Sequence, residues 1–243
     1  MSGALAVTIP VGDHITRRAF GMTFDVDTIV STLVAGVLLL GFGLYVRHRA
    51  TSGVPGKAQL AFESIVGSVE DQVRAAMGDA GRPIVPLAVT LFIFILLANW
   101  LELLPTGHTP QYLPAPTGDI NFPLAMAAFV IIAVHATWIR RQGIRSYLAH
   151  YFRPFKGFVL FNVIEEAVKP ITLTLRLFGN IFAGGLMLVL IAELLPVKLI
   201  VPIPLLDTVW KLFDGLFVGP IQAFIFALLT ILYFESAVAG TGH

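Results

Sequence analysis

The sequence contains no cysteine, and only 13% of its 243 residues are charged. Without cysteine the chain forms neither disulfides nor thiolate metal sites. Its 16 basic and 15 acidic residues leave a formal net charge of +1, so no basic field attracts nucleic acid. We therefore expect neither a disulfide framework nor a nucleic-acid partner.

Several patterns of catalytic and ligand-binding residues are also missing. The sequence has no Gly-x-Ser-x-Gly elbow, no His-Glu-x-x-His motif and no phosphate-binding glycine loop. Its six histidines are scattered and do not follow metal-ligand spacing. We expect no cofactor, no metal ion and no enzymatic activity of the chain on its own.

Hydrophobic residues make up 56% of the sequence, which is typical of a protein with several membrane spans. We expect an all-α integral membrane protein, with an external tail over residues 1–27 and one polytopic domain over 28–243. Apolar runs long enough to cross a bilayer predict five membrane helices, at about 28–46, 84–104, 122–139, 158–195 and 204–238. The last two are predicted to be long and tilted and to form a hairpin.

Residues 57–79 form an amphipathic pattern that is too charged to span a membrane. Phe62, Val66 and Val69 fall on one face of a helix, and Glu70 and Arg74 fall on another. We expect an interfacial helix whose apolar face contacts lipid or partner helices.

Positive charge predicts the orientation of the spans in the membrane. The first span ends at Arg47–Arg49 and the third at Arg140 and Arg141, which indicates cytoplasmic ends. The loop over residues 105–121 has no lysine or arginine, which suits the outer side. The N-terminus is then outside and the C-terminus is cytoplasmic.

One arginine lies within the fourth predicted helix. Arg176 is the only charged residue between Ile171 and Ala192, and a guanidinium in hydrocarbon costs several kcal/mol even on lenient scales, which indicates a function. The alternative is a snorkelling side chain, which works near helix ends. On a helix, a single stripe contains Glu165, Lys169, Thr172, Arg176, Asn180 and Ala183.

Three segments resemble the membrane subunit a of bacterial F-type rotary ATP synthases. They are Leu175–Asn180 with Phe182–Gly184, then Asn99–Pro105, then Gln222–Tyr233, and they occur in the order that the family has. The resemblance implies assembly with a ring of c subunits, with peripheral-stalk b subunits and with the rest of the complex in the lipid bilayer.

The resemblance also implies a mechanism for a proton-translocating stator. A proton arrives through one aqueous half-channel, neutralises a ring carboxylate, rides the ring through lipid and leaves through a second, offset half-channel. Arg176 matches the essential arginine between the half-channels, where its permanent charge blocks direct leakage and favours an ionised ring carboxylate. Asn180 and Gln222 match polar positions near it, and Asn99 and Glu102 match the outer-channel segment.

The sequence departs from the family where some members carry titratable groups. The acidic position nine residues after the arginine is Gly185, and the histidine position seven before the glutamine is Gly215. Another group must therefore line the uptake path. The candidates are Asp214, Asp207, His135 and Glu193.

The release path is expected to use Glu165 and Glu166. For these two glutamates the alternative is a solvated helix end, and for Asp214 it is an interfacial carboxylate or one paired with Lys211.

A different function, an ion-coupled secondary transporter, also suits buried charges, but the chain lacks the repeated halves of many such folds. An intramembrane hydrolase would need a nucleophile and a base, and no such pair is evident.

The orientation can be tested with single cysteines, since the native chain has none. Tyr112→Cys should react with a membrane-impermeant thiol reagent only from the outer side, because the loop around it lacks positive charge. His48→Cys is the matched variant and should react only from the cytoplasmic side. Labelling of residue 112 from the cytoplasmic side alone would contradict the topology.

Overall fold

The computed structural model describes residues 15–19, 21–104, 114–152, 157, 159–194 and 203–238. Helices dominate this part of the chain, and the sheet within it is a hairpin of two short strands. The elements are β1 (Thr16–Ala19), β2 (Met22–Asp25), α1 (Val26–Arg49), α2 (Lys57–Met77), α3 (Val85–Trp100), α4 (Asn121–Tyr151), α5 (Val159–Leu194), α6 (Ile203–Phe213) and α7 (Gly219–Val238).

Shorter helical segments connect or extend these helices. A 3₁₀ helix, Gly78–Ile84, joins α2 to α3, and Leu101–Leu103 extends α3 by a further 3₁₀ turn. A third 3₁₀ helix, Pro116–Gly118, precedes α4. A π-helical turn, Asp214–Val218, joins α6 to α7. The last predicted helix is therefore helical throughout its described part, and this turn is where it departs from α-helical geometry.

Part of the N-terminal tail that the sequence predicts over residues 1–27 is a β-hairpin. Thr16 pairs with Asp25 in antiparallel register, and Gly21 at the turn has a φ of 76°, which glycine adopts without steric cost. Val26 N donates a hydrogen bond to Ile15 O at 2.9 Å. The hairpin therefore leads directly into α1, and residues 1–14 lie outside the described residues.

Helix α4 is longer than the hydrophobic run from which it was predicted. It continues to Tyr151, past the expected end of the span at residue 139. Arg140 and Arg141 end the apolar run but not the helix, because arginine is a good helix former. Gly143, with φ 79° and ψ 156°, then interrupts the helical geometry beyond the apolar part.

Helix α3 lies at the centre of the bundle. It packs against α7, α1 and α2, while α4 packs against both α5 and α7. Ile95 of α3 and Phe226 of α7 are buried in the same core as Val130 of α4 and Leu177 of α5. A helix that is apolar on all sides, as α3 is, suits this central position.

In the described part of the chain, four helical stretches are long and apolar enough to cross a membrane. They are Val26–Arg49, Lys57–Trp100, Asn121–Ala149 and Thr208–Val238. Helix α5 is longer still, at 36 residues, but its first half carries charged side chains and the side chains of residues 187–194 are not described. The predicted all-α membrane fold is confirmed.

Helix α2 is amphipathic, and this chain's own helices cover its apolar face. Val69, Val73 and Met77 are buried in the core that includes α3 and α7, while Glu63 and Arg74 are exposed. The apolar face was expected to contact lipid or partner helices, so the contact with its own bundle differs from that expectation. Its position at the membrane surface stays a prediction.

Candidate functional site

Arg176 lies on the exposed face of α5. Leu173, Thr174 and Leu177 are buried on the opposite face, so the fold fixes which side of the helix turns outward. Arg176 forms no hydrogen bond or ion pair with any residue in the described ranges, and the apolar side chain of Leu175 beside it is 53% exposed. Of the predicted stripe, the exposed members are Glu165, Thr172, Arg176, Asn180 and Ala183.

Small residues near Arg176 shape the surface in two different ways. A Cβ built on Gly179 would meet nothing within 4 Å, so the helix surface beside Arg176 is open. A Cβ on Gly184 would lie 3.3 Å from Trp210 Nε1, so α6 approaches α5 closely there. The small residues therefore leave room outside the chain at Arg176 and bring two helices together about two turns further on.

A buried polar network joins α3 to α7. Thr117 Oγ1 donates to Asn99 Oδ1 at 2.6 Å, and Asn99 Nδ2 lies 3.3 Å from Gln222 Oε1 and 3.4 Å from Gly219 O. Asn99 and Gln222 are each only 4% exposed, and Gln222 Nε2 has no hydrogen-bond partner in the described part. Leaving a buried donor unpaired costs about 1–3 kcal/mol, so this amide marks a position for hydration.

Thr117 is a residue that the sequence analysis missed. It belongs to the loop over 105–121, yet it is fully buried, and the 3₁₀ helix Pro116–Gly118 packs against α1, α3, α4 and α5. A short loop segment has no hydrophobic period that would predict its burial. Only the proline and glycine on either side of Thr117 mark a turn there.

Gly215 brings the π-helical turn against the end of α3. Its carbonyl accepts a hydrogen bond from Trp100 Nε1 at 2.9 Å, and a Cβ built on it would lie 2.5 Å from Leu103 Cδ2. At this position, where the family resemblance implies a histidine in some members, a side chain would overlap Leu103 as it is placed here. π-Helical turns within helices are frequent at functional sites.

Asp214 is the first residue of the same π-helical turn and is half-buried. Its side chain forms no ion pair or hydrogen bond with the residues that the structure describes, so the pairing with Lys211 considered above is not seen. Its backbone carbonyl accepts a hydrogen bond from the N–H of Gly219, which contacts Asn99. Asp214 is therefore linked through its backbone to Gly219, and through Gly219 to Asn99 of the buried polar network.

A second polar cluster lies between α4 and α5. Lys169 Nζ donates to Glu166 Oε1, and Glu166 Oε2 lies 3.9 Å from Nε2 of His135. Lys169 also sits over the ring of Tyr233 on α7, with its Nζ 5.7 Å from the ring centre. The side chain of Lys169 therefore points into the bundle and does not lie with the exposed residues of the stripe that its spacing predicts.

His135 was grouped with the candidates for the uptake path, and the structure places it elsewhere. It belongs to the cluster of Glu166 and Lys169, not to the network of Asn99 and Gln222. Helical periodicity gives the face on which a residue lies but not which helix packs against that face. This is why the sequence did not show the contact between His135 and Glu166, and the role of His135 in a proton path stays a prediction.

Two tyrosines extend the second cluster towards the end of α4. The rings of His135 and Tyr147 meet edge to face at 5.7 Å, and the hydroxyls of Tyr147 and Tyr151 are 3.0 Å apart. Burial, with the hydrogen bond to Tyr147, raises the pKa of Tyr151 above its ordinary value, so this phenol stays protonated. Asn162 Nδ2 of α5 donates to Tyr151 O at 2.9 Å and ties the two helices together.

Three predicted site residues cannot be compared in this way. The side chains of Glu102, Glu193 and Asp207 lie outside the described residues, so their places in a proton path stay predictions. Within the ranges that are described, no three histidine, aspartate or glutamate side chains are grouped closely enough to hold a metal ion.

The helices and the two polar clusters define an all-α integral membrane protein that keeps charged and polar side chains inside and along an apolar bundle. The chain belongs to the ATP synthase A chain family, which matches residues 29–235. This match includes all three of the segments that carry the resemblance.

Curated relatives match over nearly the whole chain. ATP synthase subunit a of Acidothermus cellulolyticus is 51% identical over 240 residues, covering 98% of this chain and 86% of that protein. ATP synthase subunit a of Mycobacterium bovis is 47% identical over 246 residues, covering 96% and 95%. That of Moorella thermoacetica is 38% identical over 214 residues, covering 88% and 91%.

The close packing at Gly215 can be tested by adding one methyl group. Gly215→Ala should lower the melting temperature of the detergent-purified complex, since overpacking of this kind costs about 1–3 kcal/mol. Gly41→Ala is the matched control, because a Cβ there meets nothing within 4 Å and alanine favours a helix. An unchanged melting temperature for Gly215→Ala would contradict the close contact with Leu103.

Proposed function

We propose that this chain is the proton-translocating stator subunit of a rotary ATP synthase, with two offset aqueous half-channels and Arg176 between them. Membership of the ATP synthase A chain family supports the role in ATP synthesis and proton transport. The observation that carries the finer proposal is Arg176 itself. It is a permanent cation on an exposed, largely apolar helix face, and the described chain supplies it with no counter-charge.

The counter-charge is then on a partner, the ring of c subunits. A guanidinium in apolar surroundings is strongly disfavoured unless an anion or water is near, so each passing ring carboxylate is held in its ionised form beside Arg176. An ionised carboxylate has released its proton to one half-channel before it takes another from the second. The fixed positive charge also repels a proton that would cross directly between the half-channels.

The uptake half-channel is assigned to the network between α3 and α7. Asn99 and Gln222 supply buried amides, and Gln222 Nε2 is free to bind water. Asp214 supplies the titratable group, because it lies next to Gly215 and its carboxylate is not engaged within the described part of the chain. Glu102, Asp207 and Glu193 remain further candidates along this path.

The release half-channel is assigned to the opposite part of α5, where Glu165 and Glu166 lie. Asn180, exposed one turn from Arg176, lines the ring-facing surface between the two half-channels. The chain contributes no covalent chemistry of its own and acts only within the assembled complex. Besides the ring, its partners are the peripheral-stalk b subunits and the bilayer, with the N-terminus outside and the C-terminus in the cytoplasm.

A secondary transporter is the alternative function. Its discriminating requirement is a substrate site within this chain, near the membrane midplane between repeated halves. Arg176 instead faces outward from the bundle, away from the chain's own core. The arrangement therefore favours a cation that serves a partner over one that binds a transported solute.

Replacement of Arg176 tests the central claim. Arg176→Ala should abolish proton-driven ATP synthesis and raise passive proton leak, because the ring carboxylate is no longer driven to ionise and the barrier between half-channels is gone. Arg176→Lys should be a poor substitute, since an amine can lose its proton on burial and lacks the planar fork. ATP synthesis and proton leak are measured in vesicles that contain normally assembled complexes.

Thr172→Ala is a matched control on the same exposed face, one turn away. It should support synthesis, because its hydroxyl is already used by the backbone carbonyl of Lys169 at 2.9 Å. Wild-type synthesis in Arg176→Ala complexes would refute the proposed role of the arginine and leave a snorkelling side chain as its explanation.

Asp214→Asn tests the uptake path. It should slow proton-driven synthesis without reducing assembly, because an amide preserves the shape of the carboxyl group but cannot take up a proton. Asp71→Asn, on the exposed face of α2, is the control and should leave the rate unchanged. Normal synthesis in the Asp214→Asn complex would transfer the role to Asp207 or Glu193.

A further inference from the structure

We propose that protons leave through a relay inside the α4–α5 interface, formed by Glu166, His135, Tyr147 and Tyr151, with Lys169 as its fixed counter-charge. The inference rests on the proposed function and identifies the side chains of its release half-channel. The competing route follows the exposed face of α5, where Glu165 lies.

The two adjacent glutamates of α5 point in different directions. Glu165 is exposed on the same face as Arg176, whereas the side chain of Glu166 is only 15% exposed and points towards α4. One oxygen of Glu166 accepts from Lys169, and the other lies 3.9 Å from His135 Nε2. Glu166 thus links two helices while remaining partly accessible from outside the bundle.

His135 has the properties that a relay needs. Its Nε2 faces Glu166, and its Nδ1 is buried with no hydrogen-bond partner in the described residues. An imidazole can take a proton on one nitrogen and release one from the other. A buried ring nitrogen without a protein partner, next to a carboxylate of another helix, is not accounted for by packing alone.

The tyrosine pair continues the path beyond His135. Tyr147 contacts the imidazole edge to face, and its hydroxyl is 3.0 Å from that of Tyr151, the last residue of α4. A hydroxyl can accept one proton while donating another, so a phenol that stays protonated still conducts. Together, His135 and the two tyrosines therefore extend from the middle of α4 to its end.

The charges around the relay are nearly balanced. Lys169 faces Glu166 from the same helix, and Tyr233 of α7 contacts the ammonium group through its ring. The phenol of Tyr151, whose pKa is raised by burial, adds no charge. A paired carboxylate and ammonium carry no net charge, so the arriving proton is the one uncompensated charge at each moment.

Each transfer moves one proton and no electron. The ring carboxyl loses its proton to water in the half-channel, and the carboxylate of Glu166 gains it as a new O–H bond. Glu166 lies ten residues from Arg176, which is about 15 Å along a helix, so water carries the proton over that interval. The proton then passes to His135, and a water carries it from the imidazole to the hydroxyl pair of Tyr147 and Tyr151 and on to water at the end of α4, so that every group returns to its starting state.

A matched pair of variants distinguishes the internal relay from the exposed face. Glu166→Gln should slow proton-driven synthesis and ATP-driven pumping about a hundredfold or more, the lower end of the range for losing a positioned acid–base group. Glu165→Gln, on the competing exposed face, should slow both rates less than Glu166→Gln does. His135→Gln, which stays polar but cannot take up a proton on an imidazole, should be slow as well.

The Lys169 ammonium provides the test against a merely structural ion pair. Glu166→Gln leaves that ammonium unpaired in the bundle, so a slow variant could reflect local disruption. The double variant Glu166→Gln/Lys169→Gln removes both charges. If the relay is correct, synthesis and pumping stay slow in the double variant while the purified complex contains the chain in normal amount. Recovery of the two rates in the double variant would overturn the relay.

The Arg176→Ala complex separates failure of this inference from failure of the proposed function. Lost coupling in Arg176→Ala with normal rates in Glu166→Gln and His135→Gln would overturn the relay and leave the stator role intact. Wild-type coupling in Arg176→Ala would overturn the stator role. A slow Glu165→Gln beside a normal Glu166→Gln would place the release route on the exposed face and also overturn the relay.

Discussion

A charged side chain on an apolar helix needs a counter-charge or water, and α5 meets this need in two opposite ways. Glu166 and Lys169 compensate each other and turn inward, where His135 and Tyr233 enclose them. Arg176, ten residues later, turns outward and is not compensated by any side chain of the described chain. The first arrangement ties α5 to its own bundle, and the second leaves the charge of Arg176 to be met from outside the described part of the chain.

Glycine determines how closely α3 and α7 approach. A Cβ on Gly219 would lie 3.3 Å from Asn99 Cβ, and one on Gly215 would overlap Leu103. This close approach brings Asn99 and Gln222 within hydrogen-bonding distance in a buried position. Small residues at a helix interface allow such polar contacts by letting backbones come near each other. The polar network is therefore a product of the packing and could not exist with larger side chains at these positions.

The sequence predicted the helices and the stripe that contains Arg176, because apolar length and helical period depend only on local order along the chain. It did not predict which helices meet. Lys169 points into the bundle because it pairs with Glu166, and His135 meets Glu166 because α5 packs against α4. Thr117 is buried because four helices enclose the loop to which it belongs. Each of these depends on contacts between distant parts of the sequence, which periodicity does not encode.

The contact between Gly215 and Leu103 also limits how this chain can change over generations. A side chain at position 215 requires Leu103 to shift or to be replaced by a smaller residue, and a smaller residue 103 alone leaves a cavity in the bundle. Either single step is disfavoured, although the two together could be tolerated. The close packing of α3 against the π-helical turn therefore couples positions 215 and 103, so that a change at one is constrained by the residue at the other.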